Sequence, residues 1–373
     1  MPTVSGDSVG TQARRAALFV GGAGLLHALV DTSTVLAVCA ASHPSLHGLT
    51  PADKFYFVLA YDALAFAGQA PLALAVDRWR LYRPVAAAGL GLSALSLVFI
   101  GIDPIATLLL AGAGNAAFHV AAGALSLQAR PGRAAPPGIF VAPGALGLWL
   151  GSAIGKGGGF LLWHSAARPL AAALAIASVA ASFAPLPAVE PRPAPREAAT
   201  PSPALCLLLL LFSVSVRSFV GCTGGRALPP GAAVSLMIAC AGFAGKALGG
   251  VLSDRLGWIV TTMAALLASA PLIAFGGVHP YAVSAGVLLL QATMPVTLVA
   301  VSSILPGRPA LSFGLACLAL AAGAAPAFFP WAREHCSSTA FLTLILVSAA
   351  ATYGALRRLR GVPMRFPAGS QPI

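Results

Sequence analysis

Titratable side chains are scarce in this chain of 373 residues, which has 22 Lys and Arg, 10 Asp and Glu and 7 His. A few of them interrupt long apolar runs, where an ionised group is costly and points to function. His27 and Asp31 are four apart, with Thr32, Ser33 and Thr34 beside them. That spacing puts both on one face of a helix. Asp31 would take and release a proton, and His27 would orient or share it. The structural alternative is a hydrogen-bonded pair holding its helix to a neighbour. Asp62, beside Tyr61 and ahead of Gln69, is a second candidate for proton coupling, or for pairing with a basic group across a bundle. Asn115 and His119 again share a face. Asn115 both donates and accepts, which suits an oriented solute. His119 would bind an anion when charged or join Asp31 in proton transfer, and interhelical glue is the plain reading of both.

Arg217, with Ser213 one helical turn before it, lies deep in another apolar run. Its planar fork matches a carboxylate or phosphate, which makes it the leading substrate contact. The alternative is a permanent salt bridge to Asp31 or Asp62. Lys156 sits among Gly151, Gly155, Gly157, Gly158 and Gly159. It reads as a contact for a substrate anion, a partner for an acid, or a side chain reaching the outer interface. The glycines weaken a helix and suit a gate. The order G-x-x-x-x-G-K-S/T is missing, so a nucleotide site is rejected. Gln291 and Met294 precede Pro295, which permits a bend, and Gln291 joins the expected substrate contacts. Lys246 is expected to support a loop.

Within the apolar runs the acids are Asp31 and Asp62, and the bases are Lys156, Arg217 and Lys246. This balance favours a small anionic or zwitterionic organic solute. His27, Asp31 and His119 are also suitable ligand types for a divalent transition metal, an alternative cargo against which the three bases argue. Export of a drug or toxic compound is a further alternative. No activated nucleophile, resident metal site or cofactor motif stands out. The chain reads as a gradient-driven transporter and not as an enzyme.

The elements that must position these groups follow from composition. Hydrophobic residues make up 58% and charged residues 9%, with mean hydropathy +0.87. Soluble chains carry about 25% charged residues, so the chain is expected to be an all-α polytopic membrane protein. Twelve spans are expected, near 14–40, 52–76, 83–101, 104–128, 138–163 and 166–184, then 203–226, 230–252, 257–276, 279–302, 309–330 and 336–356. A Pro-rich stretch, 185–202, reads as a cytoplasmic linker. It divides an N-terminal six-helix bundle, 1–184, from a C-terminal bundle and basic tail, 203–373. The halves echo one another. Asp77-Arg78 and Asp254-Arg255 are 177 positions apart, Asn115 and Gln291 are 176 apart, and Pro131-Gly132-Arg133 and Pro306-Gly307-Arg308 are 175 apart. Three offsets so nearly equal indicate a parallel repeat.

If the N-terminus is cytoplasmic, fifteen of the 22 Lys and Arg fall on that side, four fall opposite, and three lie within spans. The bias places both termini inside a bacterial-type inner membrane. The basic loops and tail, with Arg357, Arg358, Arg360 and Arg365, would touch anionic lipid and carry no nucleic-acid motif. The first span is expected to remain uncleaved. The six cysteines have no CxxC spacing and read as packing residues. One chain would hold a complete path, so a monomer suffices.

The stretch Gly250-x-x-x-Asp254-Arg255-x-Gly257 resembles the loop signature between helices eight and nine of the major facilitator superfamily. Asp77-Arg78 is its degenerate echo, with Ala73 and Arg80 where that family has glycines. The resemblance implies two six-helix bundles rocking around a central cavity, with Asp77, Arg78, Gly250, Asp254, Arg255 and Gly257 acting as a conformational latch. The run LHALVDT in the first span and the pattern N-x-x-F-H in the fourth resemble the fosmidomycin-resistance-like branch. Val120 stands where that branch has proline.

Overall fold

The computed structural model describes residues 6–157, 159–185, 187, 202–334 and 336–359. Twelve helices are long and apolar enough to cross a membrane. They are α1 (Ala13–Ala41), α2 (Pro51–Trp79), α3 (Tyr82–Phe99), α4 (Pro104–Ala129), α5 (Ala135–Gly157), α6 (Leu161–Phe183), α7 (Pro203–Thr223), α8 (Ala232–Leu256), α9 (Trp258–Phe275), α10 (Pro280–Ile304), α11 (Pro309–Phe328) and α12 (Ser338–Leu359). Most of the linker, with Arg192 and Arg196, lies outside the described residues, as do Arg360 and Arg365 of the tail.

Local chemistry sets the helix ends. Thr50 starts α2 with a capping box: its hydroxyl accepts from the Asp53 amide at 3.2 Å, and Asp53 accepts from the Thr50 amide at 3.0 Å. Asp103 accepts from the amides of Ile105 and Ala106 at the start of α4, and Pro104 supplies the first turn without a wasted donor. Between α8 and α9 the chain reverses at Gly257, φ 92° and ψ 146°. A Cβ is strained in that conformation at a cost of about 1–3 kcal/mol. Gly257→Ala is therefore expected to lower the melting temperature of the purified protein, measured against an exposed helical substitution such as Ala153→Ser.

The repeat is visible in the backbone. Gly132 and Gly307, before α5 and α11, have φ 77° and 70°. Arg80, the counterpart of Gly257, also takes positive φ, 53°. The turn is kept although the glycine is not. Within the N-terminal half α1 packs on α5 and α3 on α6, matched in the C-terminal half by α7 on α11 and α9 on α12. Across the halves α5 meets α8 and α2 meets α11.

One boundary differs from the sequence expectation. The fifth span ends at Gly157, and α6 is helical from Phe160. Gly155 and Gly157 belong to the end of one helix and Gly159 precedes the next, so the described glycines mark a helix end and not a break within a span; residues without Cβ are poor helix formers. Farther along α5, Gly144, Gly147, Gly151 and Gly155 form a stripe against α1, where added Cβ atoms would strike His27, the Ala28 and Thr32 carbonyls and Cys39. Small residues at this spacing let two membrane helices approach closely.

Candidate functional site

The stripe on α5 brings α1 close enough to build a polar cluster. His27, Asp31, Asn115 and His119 are all at most 5% exposed. The His27 Nε2 is 3.1 Å from Asp31 Oδ2, and His119 Nε2 is 3.5 Å from Asp31 Oδ1. Asn115 donates to Asp31 Oδ1 at 3.0 Å and to Thr34 Oγ1 at 3.3 Å, and Thr34 also bonds the Tyr61 hydroxyl at 2.9 Å. The Asn115 Oδ1 atom is buried with no partner in the protein, an acceptor left open.

The hydrogen-bond pattern counts protons. His27 Nδ1 lies 2.9 Å from the Phe140 carbonyl, and His119 Nδ1 lies 2.8 Å from the Asn115 carbonyl. A carbonyl only accepts, so both Nδ1 atoms carry hydrogen. The two Nε2 atoms face each other at 2.8 Å, a distance that requires one more hydrogen between them. Three acceptors, two imidazoles and one carboxylate, thus converge on a shared proton. The same three side chains offer metal-ligand atoms within 4.8 Å of one another. Two nitrogens on a tetrahedral zinc would stand roughly 3.3 Å apart, given bonds of about 2.05 Å. The observed spacing fits a proton better.

The C-terminal half holds Arg217, also buried. Its Nε donates to the Ser213 carbonyl at 3.2 Å, Nη2 donates to Thr297 Oγ1 at 2.7 Å, and Nη1 donates to Thr293 Oγ1. Neither Asp31 nor Asp62 pairs with it; among the described residues no carboxylate does. Thr293 and Thr297 flank a break in α10, where one helix ends at Gln291 and the next begins at Met294 with Pro295. Pro295 thus marks the bend expected from the sequence. The threonines gave no sequence signal beyond their place beside that proline.

Other expected site residues are placed differently. Asp62 is half-buried, without a hydrogen bond or ion pair among the described residues, and stands where α2 turns from α- to π-helix at Ala63–Ala67. Such bulges gather at functional sites. Gln291 is half-buried, its Cβ 3.1 Å from where a Cβ on Gly245 would be. Lys156 is exposed in the last turn of α5 and takes no part in the cluster. Lys246, expected only to support a loop, is half-buried within electrostatic range of Asp31 and His119.

The two Asp-Arg loops join the halves. Asp254, at the end of α8, accepts from the Ala134 and Ala135 amides at the start of α5, at 2.7 and 3.0 Å. Asp77, in α2, accepts from the Ala310 and Leu311 amides at the start of α11, at 3.0 and 2.8 Å, and from the Tyr82 hydroxyl at 2.7 Å. Each carboxylate fills the free donors of a helix in the opposite half. Gly250 admits the Asp254 contact, since a Cβ there would strike the Ala134 carbonyl, while Gly249 lets α8 approach α10 of its own half at the Ala292 carbonyl. Arg78 and Arg255 make no ion pair among the described residues.

Twelve spans, a two-fold repeat and paired aspartate caps between halves describe one architecture. The chain has the major facilitator fold. The crystal structure of the major facilitator transporter FucP in the outward conformation superposes with TM-score 0.65 at 14% identity, covering 89% of this chain and 98% of that one. A structure of the E. coli fucose:proton symporter FucP gives 0.62 at 14% identity, covering 90% and 98%. The human organic anion transporter MFSD10 gives 0.66 at 17% identity, covering 92% and 99%. No protein-family model matches the chain, and no curated protein matches it in sequence. In facilitator-fold terms, the His27 cluster belongs to the N-terminal bundle and Arg217 to the C-terminal bundle.

Proposed function

We propose that this chain is a proton-coupled secondary transporter of a small anionic or zwitterionic organic solute, working by alternating access. The observation that carries the reading is the buried convergence of His27, His119 and Asp31 on one proton. Asp31, with His27 and His119, takes up and gives back that proton. Asp62 is a second proton carrier beside the α2 bulge. Arg217, a buried cation without a carboxylate partner among the described residues, receives the anionic group of the solute, with Asn115 and Gln291 as polar contacts. His119 belongs to both functions, touching the proton and the Asn115 carbonyl. Lys246 is a better second cation for the site than the exposed Lys156. Asp77, Arg78, Gly250, Asp254, Arg255 and Gly257 form the latch that releases when the halves rock. The fold neighbours described as a fucose:proton symporter and an organic anion transporter support both parts of the reading. We place the protein in a bacterial-type inner membrane as a monomer with both termini and the 185–202 linker cytoplasmic, and with the halves divided at 1–184 and 203–373.

Proteoliposomes carrying a lumenal pH dye test it. Added carboxylates or phosphonates are screened at two pH values, and the active solute should move the lumenal pH as it crosses. Solute transport without proton movement would remove proton coupling. Strong stabilisation by nickel, iron or zinc, with no response to any anion, would instead make a divalent metal the cargo at His27, Asp31 and His119.

Arg217→Ala is expected to raise the solute KM at least about tenfold, the loss of roughly one charged hydrogen bond. Folding should persist, because Thr293 and Thr297 keep their own bonds to the Leu290 and Thr293 carbonyls. Arg217→Lys, which lacks the two-armed fork, should recover only part of the affinity in the same uptake assay.

A further inference from the structure

A groove of about 1160 Å³ opens between α1, α3, α4 and α6, separate from the polar cluster. It exists because its walls carry small residues: Gly22 and Ala23 on α1, Ala86 on α3, Ala122 on α4, and Ala177 and Ala181 on α6. Leu18, 67% exposed, and Gly22 form its open lip. Polar groups gather at one end. Arg15 begins α1, Arg83 begins α3 and Gln128 ends α4, so all three lie at the same membrane boundary. From Arg15 the groove runs along α1 to Leu26. Eleven helical residues span about 16 Å, close to half of a hydrocarbon core of about 30 Å.

A basic mouth at headgroup level, an apolar channel one leaflet deep and a lateral opening are the complement of one kind of molecule. We propose that this groove binds an anionic phospholipid of the adjoining leaflet, with its phosphate between Arg15 and Arg83 and an acyl chain along Leu18, Phe19, Leu26, Leu90 and Phe118. The deep end places that chain behind the proton cluster. Leu26 precedes His27, and the Phe118 ring meets the His119 ring edge-on at 5.9 Å. The acyl chain therefore packs against the turns of α1 and α4 that carry the two histidines. The site stands whether or not the transport reading does.

The test is native mass spectrometry and thermal unfolding of the detergent-purified protein. Phosphatidylglycerol and phosphatidylcholine with identical chains are offered in competition. Retention should favour phosphatidylglycerol by about thirtyfold, the worth of two basic groups at a headgroup, and this lipid alone should raise Tm. Arg15→Gln/Arg83→Gln, two exposed positions, should reduce the preference to near onefold. Gly22→Leu should weaken retention of both lipids alike, since a Cβ there meets nothing within 4 Å and the added side chain narrows the groove at its lip. Equal retention of the two lipids by the unaltered protein would overturn the proposal, as would undiminished preference in the double variant. Displacement of bound phosphatidylglycerol by inorganic phosphate alone would identify a free-anion site and overturn the lipid assignment.

Discussion

Asp31→Asn is expected to leave the protein able to exchange its solute across a membrane but unable to accumulate it against a gradient. Asparagine has the size of aspartate and still accepts from Asn115, so the α1–α4 contact survives. It cannot hold the proton that His27 and His119 share with the carboxylate. Gradient-driven uptake should fall by about 100-fold or more, the range expected when a positioned proton-transfer group is removed. Counterflow, which needs no net proton movement, should remain within a few-fold of the unaltered protein. Measuring both in the same proteoliposomes separates loss of coupling from loss of fold. Accumulation by Asp31→Asn at the original rate would show that the proton resides elsewhere, with Asp62 the next residue to test.

Removing both latches should have the second large effect. In Asp77→Asn/Asp254→Asn each site keeps one acceptor oxygen and loses one charge-assisted bond to a helix start in the opposite half. A charged hydrogen bond contributes about 1.5–3 kcal/mol, so the pair contributes about 3–6 kcal/mol. Inverting a two-state equilibrium from 1:99 to 99:1 takes about 5.5 kcal/mol. The double variant should therefore separate the halves at this end for a large share of the time. Cys317 reports it: the residue is 4% exposed on α11, the helix that packs on α2 across the halves. Site-resolved alkylation of Cys317 should accelerate at least about tenfold. Asp53→Asn, which weakens a cap within one half, is the control and should leave the rate unchanged. Unchanged Cys317 labelling in the double variant would mean that the carboxylates do not hold the halves together.

The balance between local and long-range information is clear at particular residues. The twelve spans follow from unbroken apolar length, since every backbone group in lipid must be paired within its own helix. The repeat follows from nearly equal offsets, 177 for Asp77 and Asp254 and 175 for the two Pro-Gly-Arg turns, and positive φ recurs at Gly132 and Gly307 and at Arg80 and Gly257. His27 with Asp31, and Asn115 with His119, could be paired in advance because four residues make one helical turn. Depth alone could not assign partners. By depth Arg217 is as well placed to pair with Asp31 or Asp62 as to bind a solute, yet it bonds Thr293 and Thr297. Lys156 looked central because glycines surrounded it, but the run is where α5 ends. Lys246 reads as a loop support in the sequence, but it lies within electrostatic range of Asp31 and His119.

By itself, then, the sequence determined how many helices cross the membrane, where the chain is duplicated and which side chains share a helix face. These depend on apolar length and on the helical period, both of which act within a few turns of one segment. Only the tertiary structure decided that His27 meets His119, 92 positions away, and that Asp254 caps a helix in the other half. Those contacts depend on how closely two helix backbones can approach, which the α5 glycines and Gly250 set through steric contact with partners remote along the chain.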